Sequence, residues 1–219
     1  MGKLIKNSKL SNKQIRLIIY YFTNELTAVQ TSKMTKVHRN TVDRIYKIFR
    51  EKIANYQENN QTFFKGVVEL DESYFGNKHK YLHNRAIKQK IPVFNILKRN
   101  GKVYTQIVPD VSRATLMKII RTKVAPQTII HTDSWRSYDG LILDGYKHFR
   151  INHSKQFAAT KKNHINGIES FWSYAKNKLN RHYGIPPERF YFYLKELEFR
   201  FNNRHCQNLA KLIEKLILN

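Results

Sequence analysis

The segment Val67–Gly76 has the sequence VVELDESYFG, an apolar and β-prone run that carries acidic side chains toward the interior of a predicted sheet. Its valine and leucine residues predict a short strand between two glycines. Asp71 lies inside this run, and burying a carboxylate is costly unless a cation or a hydrogen-bond donor compensates it. The segment therefore predicts either a metal-binding carboxylate or an ordinary solvated strand end.

Two later acids stand in matching settings and favour the metal-binding interpretation. Asp133 closes the β-branched run TIIHTD at residues 128–133, and polar residues follow it. Glu169 lies in a stretch whose apolar residues recur at helical spacing, which predicts a helix. Three carboxylates at such positions are more easily explained by one shared site than by three separate solvated acids.

The polar face of the predicted helix adds a cation to the carboxylate. Asn166, Glu169, Ser173 and Lys176 fall on one helix face. Seven residues return Lys176 to within about 20° of the direction of Glu169 and place it roughly 10 Å further along the axis. That separation suits contact with a phosphate better than an ion pair with Glu169. An ordinary solvated lysine is the alternative.

Three motifs resemble the DDE transposases of small bacterial insertion sequences, specifically the ISXO-like family. They are ELDESYFG at 69–76, HTDSWRSYDGL at 131–141 and HINGIESFWSYAKNKLNRHYGI at 164–185. The resemblance extends from about Val67 to Asn203. It implies an RNase H-like catalytic domain, in which the first and fourth strands are neighbours and a helix after the fifth strand brings a third acid to the same edge.

The resemblance also implies a role for each of four residues. Asp71 and Asp133 match the two aspartates of the family, and Glu169 matches its third acid. Lys176 matches the basic residue seven positions after that acid. Glu169 follows Asp133 by 36 positions, which is a spacing that many DDE enzymes use.

Two features of the family bear on these assignments. Some branches have Asn or His at the third acidic position, and Asn166 and His164 lie within one turn of Glu169. Many relatives also have a cysteine-rich zinc ribbon before the catalytic domain. This chain has one cysteine, Cys206, and cannot form such a ribbon.

Three carboxylates can hold two Mg²⁺ ions, because Mg²⁺ prefers oxygen ligands and keeps several waters, and we expect Mn²⁺ to substitute. One ion would activate a water or a DNA 3′-OH, and the other would stabilise the leaving oxygen. The expected activity is therefore that of a two-metal DDE transposase, with strand cleavage and then strand transfer. The alternatives are an RNase H-like nuclease that only hydrolyses and a helix-turn-helix transcription regulator, which would leave the three acids unexplained.

The charge of the chain indicates a polyanionic partner. Its net charge is +24, from 40 Lys and Arg against 16 Asp and Glu. Basic charge alone fits DNA, RNA or acidic membranes, whereas the resemblance implies double-stranded DNA, both terminal inverted repeats and target, bound by a homodimer or larger assembly. No apolar run reaches about 18 residues, and a single cysteine is typical of a reducing compartment. We expect a cytoplasmic, nucleoid-associated protein without a membrane partner.

Residues 1–56 predict an all-α DNA-binding module. Ser11 and Thr27 each open a capping box, and a third helix begins near His38. The short turn between the second and third helices is typical of a helix-turn-helix, whose last helix enters the major groove. A three-helix bundle without DNA contacts is the alternative. The residues expected to contact DNA are Arg39, Asn40, Thr41 and Arg44.

The polar residues 57–65 predict a linker, and residues 66–219 predict the catalytic domain with its C-terminal helices. Two β-prone runs flank an Asn-Gly pair, which predicts an antiparallel hairpin. The fold class is therefore α/β with a mixed sheet in the order βββαβαβα, RNase H-like, preceded by the all-α module. The predicted elements are strands at 67–70, 91–98, 102–108, 128–133 and 148–152, and helices after 112, at 137–143, around 164–179, at 188–204 and at 209–218.

Overall fold

The computed structural model describes residues 3–60, 63–76, 90–133, 138, 141–151, 165–180 and 185–218. The chain divides into two compact units, one of Met1–Gln61 with Lys195–Asn219 and one of Thr62–Leu194. Each unit has its own hydrophobic core. Within the described ranges, every helix is too short or too polar to cross a bilayer.

The described elements follow the predicted order. They are α1 (Asn12–Thr23), α2 (Ala28–Thr35), α3 (Arg39–Asn59), β1 (Val67–Phe75), β2 (Ile91–Lys98), β3 (Val103–Ile107), α4 (Arg113–Lys123), β4 (Ile129–Asp133), β5 (Lys147–Ile151), α5 (Asn166–Asn180), α6 (Pro187–Asn202) and α7 (Leu209–Leu218). The helix predicted at 137–143 lies mostly outside the described residues, and residues 141–145 form turns.

The first two helices begin where their capping residues predict. The Ser11 hydroxyl accepts the amide of Gln14 at 3.2 Å, and the Gln14 side chain accepts the amide of Ser11 at 3.0 Å. Thr27 and Gln30 repeat this reciprocal arrangement at 3.3 and 2.9 Å. These bonds satisfy amide groups that have no partner within a helix, so both predicted capping boxes are confirmed.

The first unit includes the C-terminal segment, which differs from the predicted division at residue 66. Apolar side chains of α7 pack in the core of α1 and α3, and Ile213 is 1% exposed there. Glu196 of α6 accepts from Arg50 at 2.6 Å and from Arg200 at 2.8 Å. Arg200 also donates to the carbonyl of Phe22 at the end of α1, at 2.7 Å. The three helices of the N-terminal segment thus share one core with residues 195–219.

The helix α3 extends into the segment predicted as a linker at residues 57–65. It continues to Asn59, because Ile53 and Ala54 remain buried on its inner face. Gln57 donates to the carbonyl of Lys195 at 2.8 Å within the same unit. At the other end of the expected linker, Phe64 is 1% exposed and belongs to the core of the second unit. The segment between the two cores is therefore shorter than residues 57–65.

The second unit is built on a five-stranded sheet in the order β3-β2-β1-β4-β5. β1 is antiparallel to β2 and parallel to β4, and β4 is parallel to β5. The Asn-Gly hairpin joins β2 to β3 as predicted, with Asn100 in the left-handed region at φ 55°. This strand order is that of the RNase H-like fold, which confirms the predicted α/β class and the neighbouring first and fourth strands.

Two helices pack on opposite faces of this sheet. Val68 and Leu70 of β1 face α4, whose Leu116 and Ile120 belong to the same core. Alternate residues of β1 face α5, since Glu69 and Asp71 both bond to groups on that helix. The acids of β1 therefore lie on both faces of the sheet, and only the Asp71 face meets the helix that carries Glu169.

Candidate active site

Asp71 and Asp133 lie on neighbouring parallel strands. The β1–β4 pairing brings Glu69 opposite His131, and two further residues along both strands bring Asp71 beside Asp133. In a parallel pair, residues at the same register share a face of the sheet. The charge of Asp133 accordingly acts on the Asp71 carboxyl. The structure thus brings together the two aspartates that the sequence analysis singled out.

The electrostatics of Asp71 show that acids cluster here. The pKa of Asp71 is raised from 3.8 to about 6, mainly because burial disfavours the charged form. The charges of Asp133 and Glu169 act in the same direction. Hydrogen bonds from the Glu72 amide and the Trp172 indole partly oppose the shift. Asp71 therefore lies in a negative, partly desolvated environment.

The helix α5 brings Glu169, an exposed residue of its first turn, toward this pair. The indole of Trp172, one turn further along, donates to Asp71 Oδ2 at 3.0 Å. Trp172 is 4% exposed and packs against Phe75, with ring centroids 5.7 Å apart. It is therefore a packing residue that also fixes one oxygen of Asp71, whereas Trp135 lies outside the described residues.

Lys176 lies on the exposed side of α5, two turns after Glu169. Asn166 is the first residue of this helix and is also exposed, so it shares a turn with Glu169. His164, the other alternative at the third position, falls outside the described residues.

A second acidic residue of β1, Glu72, points to the opposite face. Its Oε1 accepts the hydroxyl of the fully buried Tyr138 at 2.7 Å. Burial raises the pKa of Glu72 to about 7, the Tyr138 hydrogen bond opposes that rise, and the charges of Asp71 and Asp133 add to it. Burial also raises the pKa of Tyr138 well above its ordinary value. Glu72 is thus electrically coupled to the site from behind the sheet.

Asn95 is a neighbour of Asp71 that the sequence analysis missed. It is the antiparallel partner of Asp71 on β2 and is fully buried. Among the described residues, neither its amide oxygen nor its amide nitrogen has a hydrogen-bond partner. A buried amide without partners is uncommon and indicates a water, ion or ligand group at that point. A polar residue inside the apolar run IPVFNILK was the signal in the sequence.

Glu69 is the other missed residue, and it lies two positions before Asp71 on the same face of β1. It is 1% exposed and accepts from the Arg99 side chain at 2.8 Å and from the amide of Ile168 at 2.9 Å. The two-residue period of a strand was the signal that could have found it, because Glu69 and Asp71 must share a face.

The donor set suits a divalent cation in its chemistry. Carboxylates are the ligands that Mg²⁺ prefers, and a cation would offset the burial and the repulsion that together raise the pKa of Asp71. Across the described ranges, no three His, Cys, Asp or Glu side chains stand close enough to enclose one ion as they are placed. Asp71 and Asp133 therefore fit the role of metal-binding residues by type and position, and the Asn95 amide beside Asp71 has no partner within the described part of the chain.

The residues predicted to contact DNA lie together at the start of α3. Arg39, Asn40 and Arg44 are exposed, and Thr41 is half-buried. Arg39 lies 3.6 Å from Asp43 in an exposed ion pair, which contributes little to stability. The turn between α2 and α3 contains Lys36 in the left-handed conformation.

Comparison with known families decides the relationship of the chain. The model of the ISXO2-like transposase domain matches residues 63–202. The chain belongs to the ISXO2-like transposase family. This confirms the resemblance found in the three sequence motifs. The matched range contains Asp71, Asp133 and Glu169, as well as all five strands.

A curated relative supports the same membership. The chain is 50% identical over 116 residues to an "uncharacterized transposase-like protein" of Haemophilus influenzae. The match covers 53% of this ISXO2-like chain and 94% of the relative.

Solved structures of Mos1 transposase also match the chain, at low similarity. A Mos1 paired-end complex with the left transposon end is 12% identical, with a TM-score of 0.30, and covers 97% of this chain and 80% of that one. A Mos1 mariner paired-end complex with Mn is 13% identical, with a TM-score of 0.31, and covers 99% and 80%. The strand order, rather than this likeness, identifies the RNase H-like fold of this ISXO2-like protein.

Proposed function

We propose that this ISXO2-like protein is a DNA transposase that binds the terminal inverted repeats of an insertion sequence and catalyses strand cleavage and strand transfer. The observation that supports this most is the meeting of two aspartates on neighbouring parallel strands, under a helix whose Glu169 acts on the same carboxyl. A transcription regulator would have no need for such a cluster of partly desolvated acids.

Asp71, Asp133 and Glu169 would hold the divalent cations, Mg²⁺ or Mn²⁺. When bound, such ions activate an attacking oxygen and stabilise the leaving oxygen of an in-line displacement. The residues of the chain contribute the positioning: the Trp172 indole holds Asp71 Oδ2, and the sheet fixes Asp71 against Asp133. One acidic site then serves both cutting and joining.

Binding of the scissile DNA falls to basic groups around the acids. Lys176 lies on the exposed side of the helix that carries Glu169, where it would contact a flanking phosphate. This placement separates the phosphate contact from the carboxylates, so that the cation and the DNA do not compete for the same side chains.

Recognition of the terminal repeats is assigned to the first unit. The N-terminal end of α3, as the recognition helix of a helix-turn-helix, would enter the major groove. The residues that it would carry there are Arg39, Asn40, Thr41 and Arg44. The net charge of +24 supports binding to the DNA backbone through counterion release. Pairing of two transposon ends would require a homodimer or a larger assembly.

The test uses DNA that carries the inverted repeats flanking the gene, a supercoiled target plasmid and either Mg²⁺ or Mn²⁺. We expect cut terminal DNA and covalent joining of its 3′ end to the plasmid. Cleavage without joined products would contradict the transposase assignment and favour a nuclease that only hydrolyses. Specific binding without cleavage would favour a regulator.

A further inference from the structure

Glu69 is a buried carboxylate that the three-acid site does not use. It is 1% exposed in the centre of the sheet, with Leu97 of β2 and His131 of β4 as its cross-strand neighbours. A charge in such a place persists only where strong donors satisfy it. The carboxylate of Glu69 must therefore accept hydrogen bonds from groups that pack against it.

Two donors satisfy the two oxygens of Glu69. Arg99 Nε donates to Oε1 at 2.8 Å, and the backbone amide of Ile168 donates to Oε2 at 2.9 Å. Ile168 is the third residue of α5, so its amide has no acceptor within the helix. The residue before the helix is Ile165, whose side chain cannot accept a hydrogen bond. A strand residue thus caps α5, with its negative charge at the positive end of the helix dipole.

The close approach of this helix to the sheet depends on Gly167. A Cβ atom at that position would lie 2.9 Å from Glu69 Oε2 and 3.0 Å from Leu97 Cδ2. The first distance is shorter than real Cβ contacts and the second is at their tight limit, so a larger residue would shift either the side chains of Glu69 and Leu97 or the first turn of α5.

A second hydrogen bond fixes the direction of α5 along the strand. The Trp172 indole donates a hydrogen bond to Asp71. Trp172 lies four residues after Ile168 on the helix, and Asp71 lies two residues after Glu69 on the strand. Four helix residues rise about 6 Å and two strand residues about 6.7 Å, so the two elements run in register. Glu169 immediately follows Ile168, and its backbone is therefore set by the bond to Glu69.

We propose that Glu69 is a positioning residue, which together with Arg99 and Gly167 holds the first turn of α5 so that Glu169 faces Asp71 and Asp133. This inference rests on the proposed function. Glu69 touches neither DNA nor cation. It acts through the helix that carries the third carboxylate.

The test measures Mn²⁺ affinity of the full chain without DNA, from the electron paramagnetic resonance signal of free Mn²⁺. We expect Glu69→Gln and Gly167→Ala each to weaken Mn²⁺ binding by roughly 10–100-fold, the range for groups that orient a metal ligand. The Mn²⁺ concentration for half-maximal DNA cleavage should rise by the same factor. Gly167→Ala removes no charge and favours helix, so it carries the test if Glu69→Gln does not fold.

The matched control is Glu196→Gln, which removes another buried, arginine-paired carboxylate in the first unit. Its Mn²⁺ affinity should equal that of the parent. Unchanged Mn²⁺ affinity in folded Glu69→Gln or Gly167→Ala, or a loss no larger than that of Glu196→Gln, would overturn the positioning role alone. A parent protein that neither binds Mn²⁺ nor cleaves DNA would instead overturn the proposed function, and this inference with it.

Discussion

Asp71 is the residue at which stability and function oppose each other. Burial and the charges of Asp133 and Glu169 make its ionised form unfavourable in the protein without a cation. In the proposed function the same surroundings would attract a divalent cation, because an ion would neutralise the negative charges of the cluster. Such an unfavourable buried charge is expected at a functional site and is uncommon elsewhere in a protein.

Replacing the Asp71 carboxylate with a neutral side chain should stabilise the cation-free protein. We expect Asp71→Asn to raise the free energy of unfolding of the Thr62–Leu194 unit by about 1–3 kcal/mol at pH 7.5 in a chelating buffer. Asn keeps an oxygen for the Trp172 indole. Urea titration followed by tryptophan fluorescence checks this, since both tryptophans lie in that unit. The exposed Glu188→Gln serves as control, and a less stable Asp71→Asn would contradict the expected cost of burying the Asp71 charge beside Asp133 and Glu169.

The pH dependence of stability follows from the two raised carboxyl pKa values. Asp71 and Glu72 have pKa values of about 6 and 7 in the folded state, above their ordinary values of 3.8 and 4.5. The folded state therefore binds more protons in this range, and its stability falls as pH rises from about 4 to about 7. Urea titrations of the cation-free protein, followed by tryptophan fluorescence, should show that the free energy of unfolding declines across this pH range. Constant stability between pH 4 and pH 7 would contradict these pKa shifts.

The sequence predicted the candidate metal-binding acids better than the residues that pack beside them. Asp71 and Asp133 could be found because the first lies inside a β-prone run and the second closes one, and the family resemblance supplied their adjacency. Asn95 and Glu69 were missed because their roles depend on which strand lies alongside and which helix packs above. Cross-strand pairing of this kind is a long-range property that a local pattern does not contain.

At the scale of elements, locally encoded features were predicted most accurately. The helix starts at Ser11 and Thr27 follow from side chains three residues apart, and the hairpin follows from one Asn-Gly pair. The continuation of α3 into the predicted linker was missed because residues 51–59 are mostly polar, although Ile53 and Ala54 keep the helical period. Their burial depends on the distant segment Lys195–Asn219, which a search along neighbouring residues does not reveal.

The geometry of α5 leads to a prediction for its exposed lysine. Lys176→Ala should strongly reduce DNA cleavage and joining while changing the free energy of unfolding by no more than about 0.5 kcal/mol, because an exposed helix lysine contributes little to stability. Lys176→Arg should keep part of the activity, since charge matters more than shape at a phosphate contact.

The control for this lysine is Lys118→Ala, which removes an exposed lysine from α4 on the other face of the sheet. It should leave both rates near those of the parent. Equal rates for Lys176→Ala and Lys118→Ala in a DNA cleavage assay would return Lys176 to the class of ordinary surface charges.

At the scale of the whole molecule, the chain begins and ends in the same unit. The buried pair of Glu196 with Arg50, and the apolar face of α7, complete the core of the N-terminal helices. Although burial alone would raise it, the charges of Arg50 and Arg200 lower the pKa of Glu196 to about 2. The unit that we propose to read DNA thus depends on the segment Lys195–Asn219, which follows the Thr62–Leu194 unit in the sequence.

This arrangement predicts how fragments behave. A fragment of residues 1–61 should show little cooperative thermal unfolding by circular dichroism, because it exposes the surface that Phe199, Ile213 and Leu216 cover. The same fragment joined by a flexible linker to residues 195–219 should unfold cooperatively. Equal melting transitions for the two fragments would contradict a shared core.

We propose that Asp71, Asp133 and Glu169 form one cation-dependent site for DNA strand cleavage. The most direct measurement is the Mn²⁺-dependent cleavage rate of terminal-repeat DNA by the single alanine variants of these acids, beside the exposed control Glu188→Ala. We predict that all three variants lose cleavage and keep near-parental DNA affinity, while the control cleaves normally. Cleavage at the parental rate by Asp71→Ala or Asp133→Ala would contradict the proposed site. Cleavage at the parental rate by Glu169→Ala would show that another residue is the third metal ligand, with Asn166 as the first candidate.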